Sequence, residues 1–391
     1  MKLVPELQEF EAELTVWRRD FHAHPELGFE EFRTAGIVAE KLTEFGLEVD
    51  QGLAGTGVVG ILSNGSSDRK IGLRADLDAL AMPEANTFDH KSRNDGKMHG
   101  CGHDGHTTML LGAAWYLSKT RGFDGTVYFI FQPAEEAANG GLRMIEDGLF
   151  EKFPASEVYG MHNIPGIPTG TFSTCPGALM ASMDVFDVTI RGIGGHGGMP
   201  HRANSPVLAA CKIISALHEF ATHQIDPNQR ITLSVCDLHA GDAINVIPDE
   251  IRFRGTVRSL DEEARQLMEE AFPRISKGIS DAYGVECDVD YKTNYPLLIN
   301  SHAETAKAVK VAEELVGAEN VDGEVTPFTG SEDFAWMLQR KPGNYIFIGN
   351  GEGSEGGCMV HNPNYDFNDR ILPLGASYWV RLAETLLNVK S

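Results

Sequence analysis

The chain has 391 residues, and its 56 acidic against 33 basic side chains leave a formal net charge of −23. At about 150 residues per domain this length holds two to three domains, and 42% hydrophobic with 23% charged residues excludes disorder as the main property. The negative balance repels nucleic-acid phosphates and anionic membrane surfaces, so neither is expected as a partner.

Leu7, Phe10, Leu14, Trp17 and Phe21 recur every three or four residues and predict one helix. The opening stretch MKLVPELQEFEAELTVW has no basic region ahead of an apolar run, so no secretory leader is expected. No segment has the roughly 18 apolar residues of a membrane span. Six widely spaced cysteines without a CxxC pair fit free thiols in a cytoplasmic protein, where the sequon at Asn64 carries no meaning. A second helical pattern, Phe32, Val38, Leu42 and Phe45, stops at Gly46. Residues 58–62 and 71–73 then predict strands and 107–119 a helix. The run 127–131 (VYFIF) is apolar throughout, as in a strand buried on both faces. A helix over 142–148 and a strand over 158–161 complete an α/β alternation, which predicts a mostly parallel or mixed sheet flanked by helices.

After Pro176-Gly177 the pattern changes. Segments 184–191, 230–235 and 251–257 alternate apolar and polar residues, helices over 205–222 and 261–282 interleave, and 287–291 predicts a last strand. That is the order of a ferredoxin-like α+β unit. Helices over 302–316 and 332–339, a strand over 345–348 and a helix over 374–387 return to the first style. The expected organisation is an α/β domain, 1–182 plus 296–391, interrupted by an inserted α+β domain over 183–295.

Gly55 to Gly60 matches G-x-G-x-x-G but precedes a strand instead of linking a strand to a helix, so it fails as a dinucleotide site. Neither a phosphate loop nor a G-x-S-x-G elbow is present in the sequence. The densest chemistry is His99-Gly100-Cys101-Gly102-His103-Asp104-Gly105-His106, polar residues of metal-binding type among glycines ahead of a helix. The strand 127–131 runs into Gln132-Pro133-Ala134-Glu135-Glu136, where one carboxylate can hold a metal and the other take a proton from water. The next strand ends at His162, and His361 follows the glycine-rich loop 349–357. Cysteine, histidine and glutamate together form a coherent set for two divalent ions, with Zn, Mn, Co or Ni suited to mixed ligation. A metal-bearing binding protein without catalysis is the alternative from another class; adjacent Glu135 and Glu136 argue against it.

Ordered blocks run along the chain: HPELGFEEF (24–32), LRADLDALAMPE (73–84), MHGCGHDGHTTMLLGAA (98–114), GTVYFIFQPAEE (125–136), GMHN (160–163), GGHGGMPH (194–201), INVIPD (244–249), GTVRS (255–259), SEDF (331–334) and VHNPNYDFND (360–369). In these the chain resembles the metal-dependent aminoacylase/carboxypeptidase family, in the branch of hippurate hydrolases, N-acyl-amino-acid amidohydrolases and plant auxin-conjugate hydrolases. The resemblance implies hydrolysis of the amide bond of N-acyl or N-aroyl L-amino acids, hippurate-type substrates favoured. The alternatives are dipeptide or carboxypeptidase chemistry and N-acetyl-amino-acid deacetylation on the same site. It further implies Cys101, His103, Glu136, His162 and His361 as ligands of two metals, Cys101 bridging, with Glu135 as general base and Asp76 supporting the metals from behind. On the inserted lid domain it implies His196 as the group that polarises the scissile carbonyl, Asn245 and Arg258 as substrate contacts, and assembly into a homodimer or higher homo-oligomer. The chain departs from the branch's pattern at Gly100, Gly197 and Gly198, where alanine is usual, and at Ala137, where glycine is usual. These changes bear on substrate fit more than on metal binding.

Overall fold

The computed structural model describes residues 1–136 and 139–388, so the Ala137 departure lies outside the described residues. The chain divides into two compact units. The first comprises Met1–Gly177, Ile299–Thr326 and Asp333–Ser391, and the second Ala178–Leu298 with Pro327–Glu332.

The first unit is built on an eight-stranded mixed sheet, with strands ordered Glu48–Leu53, Gly57–Asn64, Gly125–Gln132, Lys70–Asp76, Glu157–Pro165, Gly343–Gly351, Phe172–Ser173 and Val321–Asp322. The four central strands, Gly125–Gln132 through Gly343–Gly351, are mutually parallel. Their apolar runs follow from burial on both faces: every residue of Gly125–Gln132 is buried. Helices Glu11–Ala23, His103–Thr120 and Leu372–Leu386 share one core through Leu14, Trp17, Leu111, Leu117, Trp379 and Leu382.

Two elements depart from expectation. The single helix over 7–21 is two helices, Pro5–Glu9 and Glu11–Ala23. Phe10 leaves helical geometry (φ −90°, ψ 2°) and stacks its ring on Trp115 at 4.0 Å. The helix over 332–339 shrinks to Ala335–Leu338, because Asp333 binds Arg74 and Gln132 instead of starting a helix. The strand Glu48–Leu53, unread in the sequence for want of apolar alternation, forms the sheet edge, paired antiparallel to Gly57–Asn64.

The second unit is a four-stranded antiparallel sheet, ordered Ile231–His239, Glu250–Ser259, Ser182–Arg191 and Glu286–Tyr295. This is the ferredoxin-like order that the alternating pattern predicts. Strands Ser182–Arg191 and Glu250–Ser259 bury every second residue, and Phe186, Val188, Ile190 and Phe253 meet Ile213, Leu217, Met268 and Phe272 of helices Pro206–His223 and Glu262–Tyr283. Inside this layer Asp184 accepts from Arg265 at 2.6 Å and from Tyr291 Oη at 3.0 Å. Removing the carboxylate strands a buried guanidinium. Asp184→Ala is expected to lower the stability of this unit by about 3–5 kcal/mol, read by urea denaturation, whereas loss of an exposed ion pair such as Lys277–Asp281 is expected to cost less than about 1 kcal/mol.

Candidate metal centre

Parallel pairing brings the carboxyl ends of Lys70–Asp76, Gly125–Gln132 and Glu157–Pro165 to one end of the sheet, the position where open α/β sheets bind ligands. Asp76 ends the first strand, Glu135 and Glu136 follow the second, and His162 lies in the third. Cys101 and His103 arrive at the start of helix His103–Thr120. Between them Gly102 takes φ +99°, and a Cβ there would stand 2.2 Å from Asn163 Oδ1 and 2.6 Å from Tyr365 Oη. Only glycine fits that corner.

Backbone and carboxylate acceptors aim the imidazoles. His162 Nδ1–H donates to the Asn163 carbonyl at 2.6 Å, which turns Nε2 to within 3.3 Å of Cys101 Sγ. His103 Nδ1–H donates to the Asp78 carbonyl at 2.9 Å, which turns Nε2 toward Glu136 Oε1 at 3.9 Å and Glu135 Oε2 at 4.0 Å. Asp78 Oδ2 also accepts the Glu136 backbone N–H at 3.0 Å. His361 donates its own N–H to the Gly100 carbonyl at 2.7 Å, sits at φ +61°, and places Nε2 3.4 Å from Glu136 Oε2.

The donor atoms of Cys101, His103 and His162 all lie within 4.8 Å of one another, and so do those of Cys101, Glu136 and His361. A third group joins His103, Glu135 and Glu136. Cys101 is common to the first two. Whether these residues suit a cation is answered by what they lack. His103 Nε2 and Glu136 Oε1 are buried with no hydrogen-bond partner among the described residues, a costly state for polar atoms without a ligand. Burial pushes the Cys101 thiol well up, and Glu136, Glu135 and Asp76 push it further, so only a nearby cation makes the thiolate favourable. Burial holds His162 well below its usual value, which keeps the ring neutral and able to ligate. The set fits divalent ions of borderline softness.

Asp76 stands behind this group. Its Oδ1 accepts from His106 Nδ1–H at 2.7 Å and its Oδ2 from Arg74 Nη1 at 2.6 Å. Burial opposes its ionisation, but His103, His106 and Arg74 outweigh it and hold the carboxyl well below the usual range. Asp78 and Asn163 lie inside quoted blocks but carry no local mark of a site role, and His106, within the metal-type run, has no assigned role in the sequence. Conversely, His99 opens the metal-type run but belongs to no donor group among the described residues, and burial drives its pKa down to about 4.

The residues expected on the inserted segment lie in the second unit. His196 in strand Gly195–His196 pairs with Val246, beside Asn245, whose carbonyl accepts the Gly197 N–H at 2.8 Å. Gly198 N–H donates to His196 Nδ1 at 3.0 Å, which leaves the ring proton on Nε2. Half-buried Arg258 donates to Ser331 Oγ at 2.6 Å, and burial lowers its pKa. A Cβ at Gly100 would meet the ends of two flexible side chains, Met82 Sδ at 2.9 Å and Leu80 Cδ1 at 3.1 Å. At Gly197 it would meet the Asn245 carbonyl oxygen at 3.0 Å, and at Gly198 the His196 ring at 3.3 Å. The glycine pair therefore loosens the surroundings of His196 and Asn245.

The metal loop is also anchored from the far side. Buried His22 bridges Asp104 Oδ2 (2.8 Å) and Glu84 Oε1 (3.2 Å). Burial opposes its charge, but the bonds to Asp104 and Glu84 prevail and its pKa rises to about 9. The folded state thus keeps a proton that the unfolded chain releases near 6.5, so this contribution to stability is full below 6.5 and lost as the pH rises through about 9. Over that window the urea midpoint of the protein is expected to fall more steeply than that of His22→Gln; equal slopes contradict the assignment.

Comparison with known proteins agrees with this centre. A family model described as Peptidase family M20/M25/M40 matches residues 72–385. A hippurate hydrolase of Campylobacter jejuni is 42% identical over 383 residues, covering 98% of this chain and 99% of that protein. Thermostable carboxypeptidase 2 of Saccharolobus solfataricus is 36% identical and covers 100% of this chain and 99% of its own. Among solved structures, a dinuclear metal binding peptidase from the M20 family of Bacillus subtilis superposes with a TM-score of 0.83 at 34% identity, covering 98% of this chain and 100% of that one.

Proposed function

Because the chain belongs to peptidase family M20/M25/M40, we propose that it is a metal-dependent amidohydrolase of N-acyl and N-aroyl L-amino acids, releasing a carboxylic acid and a free amino acid, with hippurate-type substrates favoured. The observation that carries this reading is the pair of donor groups sharing Cys101, with the carboxylate of Glu135 beside them. In it, Cys101, His103 and His162 would hold one divalent ion and Cys101, Glu136 and His361 the other. When bound, such ions supply Lewis acidity, which acidifies a water from about 15.7 toward about 7 and polarises a carbonyl.

The chain's residues do the rest. Glu135 takes a proton from the attacking water at a carboxylate oxygen and passes it to the leaving nitrogen, a transfer worth about 10²–10⁴-fold. His196, protonated on Nε2, donates to the carbonyl oxygen as negative charge grows there, worth roughly 10²–10³-fold. The planar fork of Arg258, with Asn245, holds the carboxylate of the amino acid. Asp76 and Asp78 keep His103 in register. We assign 1–182 with 296–391 as the catalytic domain and 183–295 as a lid. Exposed Leu238, Ile244 and Val246 on that segment support a homodimer or higher homo-oligomer. The free cysteines support a cytoplasmic setting; no helix among the described residues is long and apolar enough to cross a membrane.

The carboxypeptidase relative supports a second reading, hydrolysis of peptides at the same bond type. Both are tested together. Glu135→Gln is expected to keep its metal content while hydrolysis of N-benzoylglycine falls by at least about 10²-fold. Unchanged turnover removes Glu135 from the reaction. Faster hydrolysis of dipeptides than of N-benzoylglycine or N-acetyl amino acids by the wild type moves the assignment to the second reading.

A further inference from the structure

Two sequence blocks have no part in the reaction as described: HPELGFEEF over 24–32 and the Gly55-Thr56-Gly57 turn. They meet beneath the turn that carries Glu135. Ala134 there is fully buried and sits at φ +54°, a left-handed conformation that a residue with a Cβ adopts only when its surroundings impose it. This residue converts the end of strand Gly125–Gln132 into the direction taken by Glu135 and Glu136.

The surroundings that impose it come from 26–31. Glu31 is buried, and its Oε1 accepts the Ala134 N–H at 2.9 Å while its Oε2 accepts from Thr56 Oγ1 at 2.6 Å. Gly28 packs so closely that a Cβ there would stand 2.9 Å from Ala134 Cβ and 3.0 Å from its Cα. One residue earlier Leu27 bridges Ala79, and Ala79 N–H donates to the Glu26 carbonyl at 2.8 Å. Ala79 follows Asp78, the residue that accepts from both His103 and Glu136. One short segment therefore spans from the Asp78 anchor to the Ala134 turn. Burial pushes the Glu31 carboxyl up to about 7, the Thr56 hydroxyl pulling against it. Either protonation form presents a lone pair to the Ala134 amide.

We propose that Glu31 is a positioning residue: held by Thr56, it pins the Ala134 amide and so fixes the left-handed turn that aims Glu135 and Glu136 into the metal centre. Without it the buried Ala134 N–H loses its acceptor, and the close packing of Gly28 is left to hold the left-handed turn without that hydrogen bond. The catalytic part of this inference rests on the role given to Glu135; the structural part does not.

Amide hydrogen exchange of 132–136 in the metal-free protein tests the structural part without substrate or metal. Glu31→Ala is expected to speed exchange there by at least about tenfold, and Glu31→Gln, which keeps a carbonyl oxygen for Ala134 and offers its amide to Thr56, to restore it to within about threefold of wild type. In the metal-loaded enzyme kcat of Glu31→Ala is expected to fall about 10- to 100-fold with KM within about threefold, and Glu31→Gln to recover most of it. Unchanged exchange in Glu31→Ala, or a Glu31→Gln variant as impaired as Glu31→Ala, overturns the proposal. If Glu31→Ala does not fold, Thr56→Val replaces it: faster exchange at the turn supports the proposal and wild-type exchange overturns it. A Glu135→Gln enzyme that stays active would remove the reading of Glu135 and leave the exchange result standing.

Discussion

Buried negative charge that only a cation can balance is the constraint on which the first unit depends. Cys101, Asp76, Asp78, Glu135 and Glu136 converge at one end of the sheet, mostly out of water; burial first, and then repulsion from Glu136, Glu135 and Asp76, drives the Cys101 thiol pKa far up. Arg74 offsets part of it by binding Asp76 and Asp333. The remainder lies around His103 Nε2 and Glu136 Oε1, polar atoms without hydrogen-bond partners among the described residues. Two divalent ions bound there would turn this unfavourable cluster into a stable one and would supply the Lewis acidity that amide hydrolysis needs.

Such a cluster works only if its donors are aimed, and the aiming groups come from distant parts of the chain. Asn163 and Asp78 orient His162 and His103 through their Nδ1 atoms. Gly102 allows the corner between Cys101 and His103, and Glu31 reaches across 103 residues to the Ala134 amide. His22 bonds Asp104, beside His103, from the helix Glu11–Ala23. The scaffold and the site are one hydrogen-bonded object, which is why residues remote from the reaction can tune it.

Much of the centre was legible in the sequence because its donors are chemically rare and locally grouped: Cys101 and His103 among glycines, and Glu135 beside Glu136 after an apolar strand. The ferredoxin-like unit was legible for a different reason, the two-residue alternation of a half-buried sheet. What stayed hidden depends on long-range pairing. Asp78 resembles any acid in a loop until His103 and the Glu136 amide are folded onto it. Asp333 was read as part of a helix, yet its carboxylate is used by Arg74, 259 residues away in sequence. Nothing local marks Ala134 as left-handed, since the cause is a carboxylate from 31 and a glycine from 28. The break at Phe10 likewise follows from a ring stacked on Trp115, which periodicity does not reveal.

The central claim is that Cys101 serves both donor groups while His361 serves one. Metal content per chain, measured by elemental analysis after loading with zinc and removal of excess, separates the two directly. About two ions are expected in the wild type, about one in His361→Ala and well under one in Cys101→Ala. Two ions retained by Cys101→Ala, or equal losses in both variants, would contradict it.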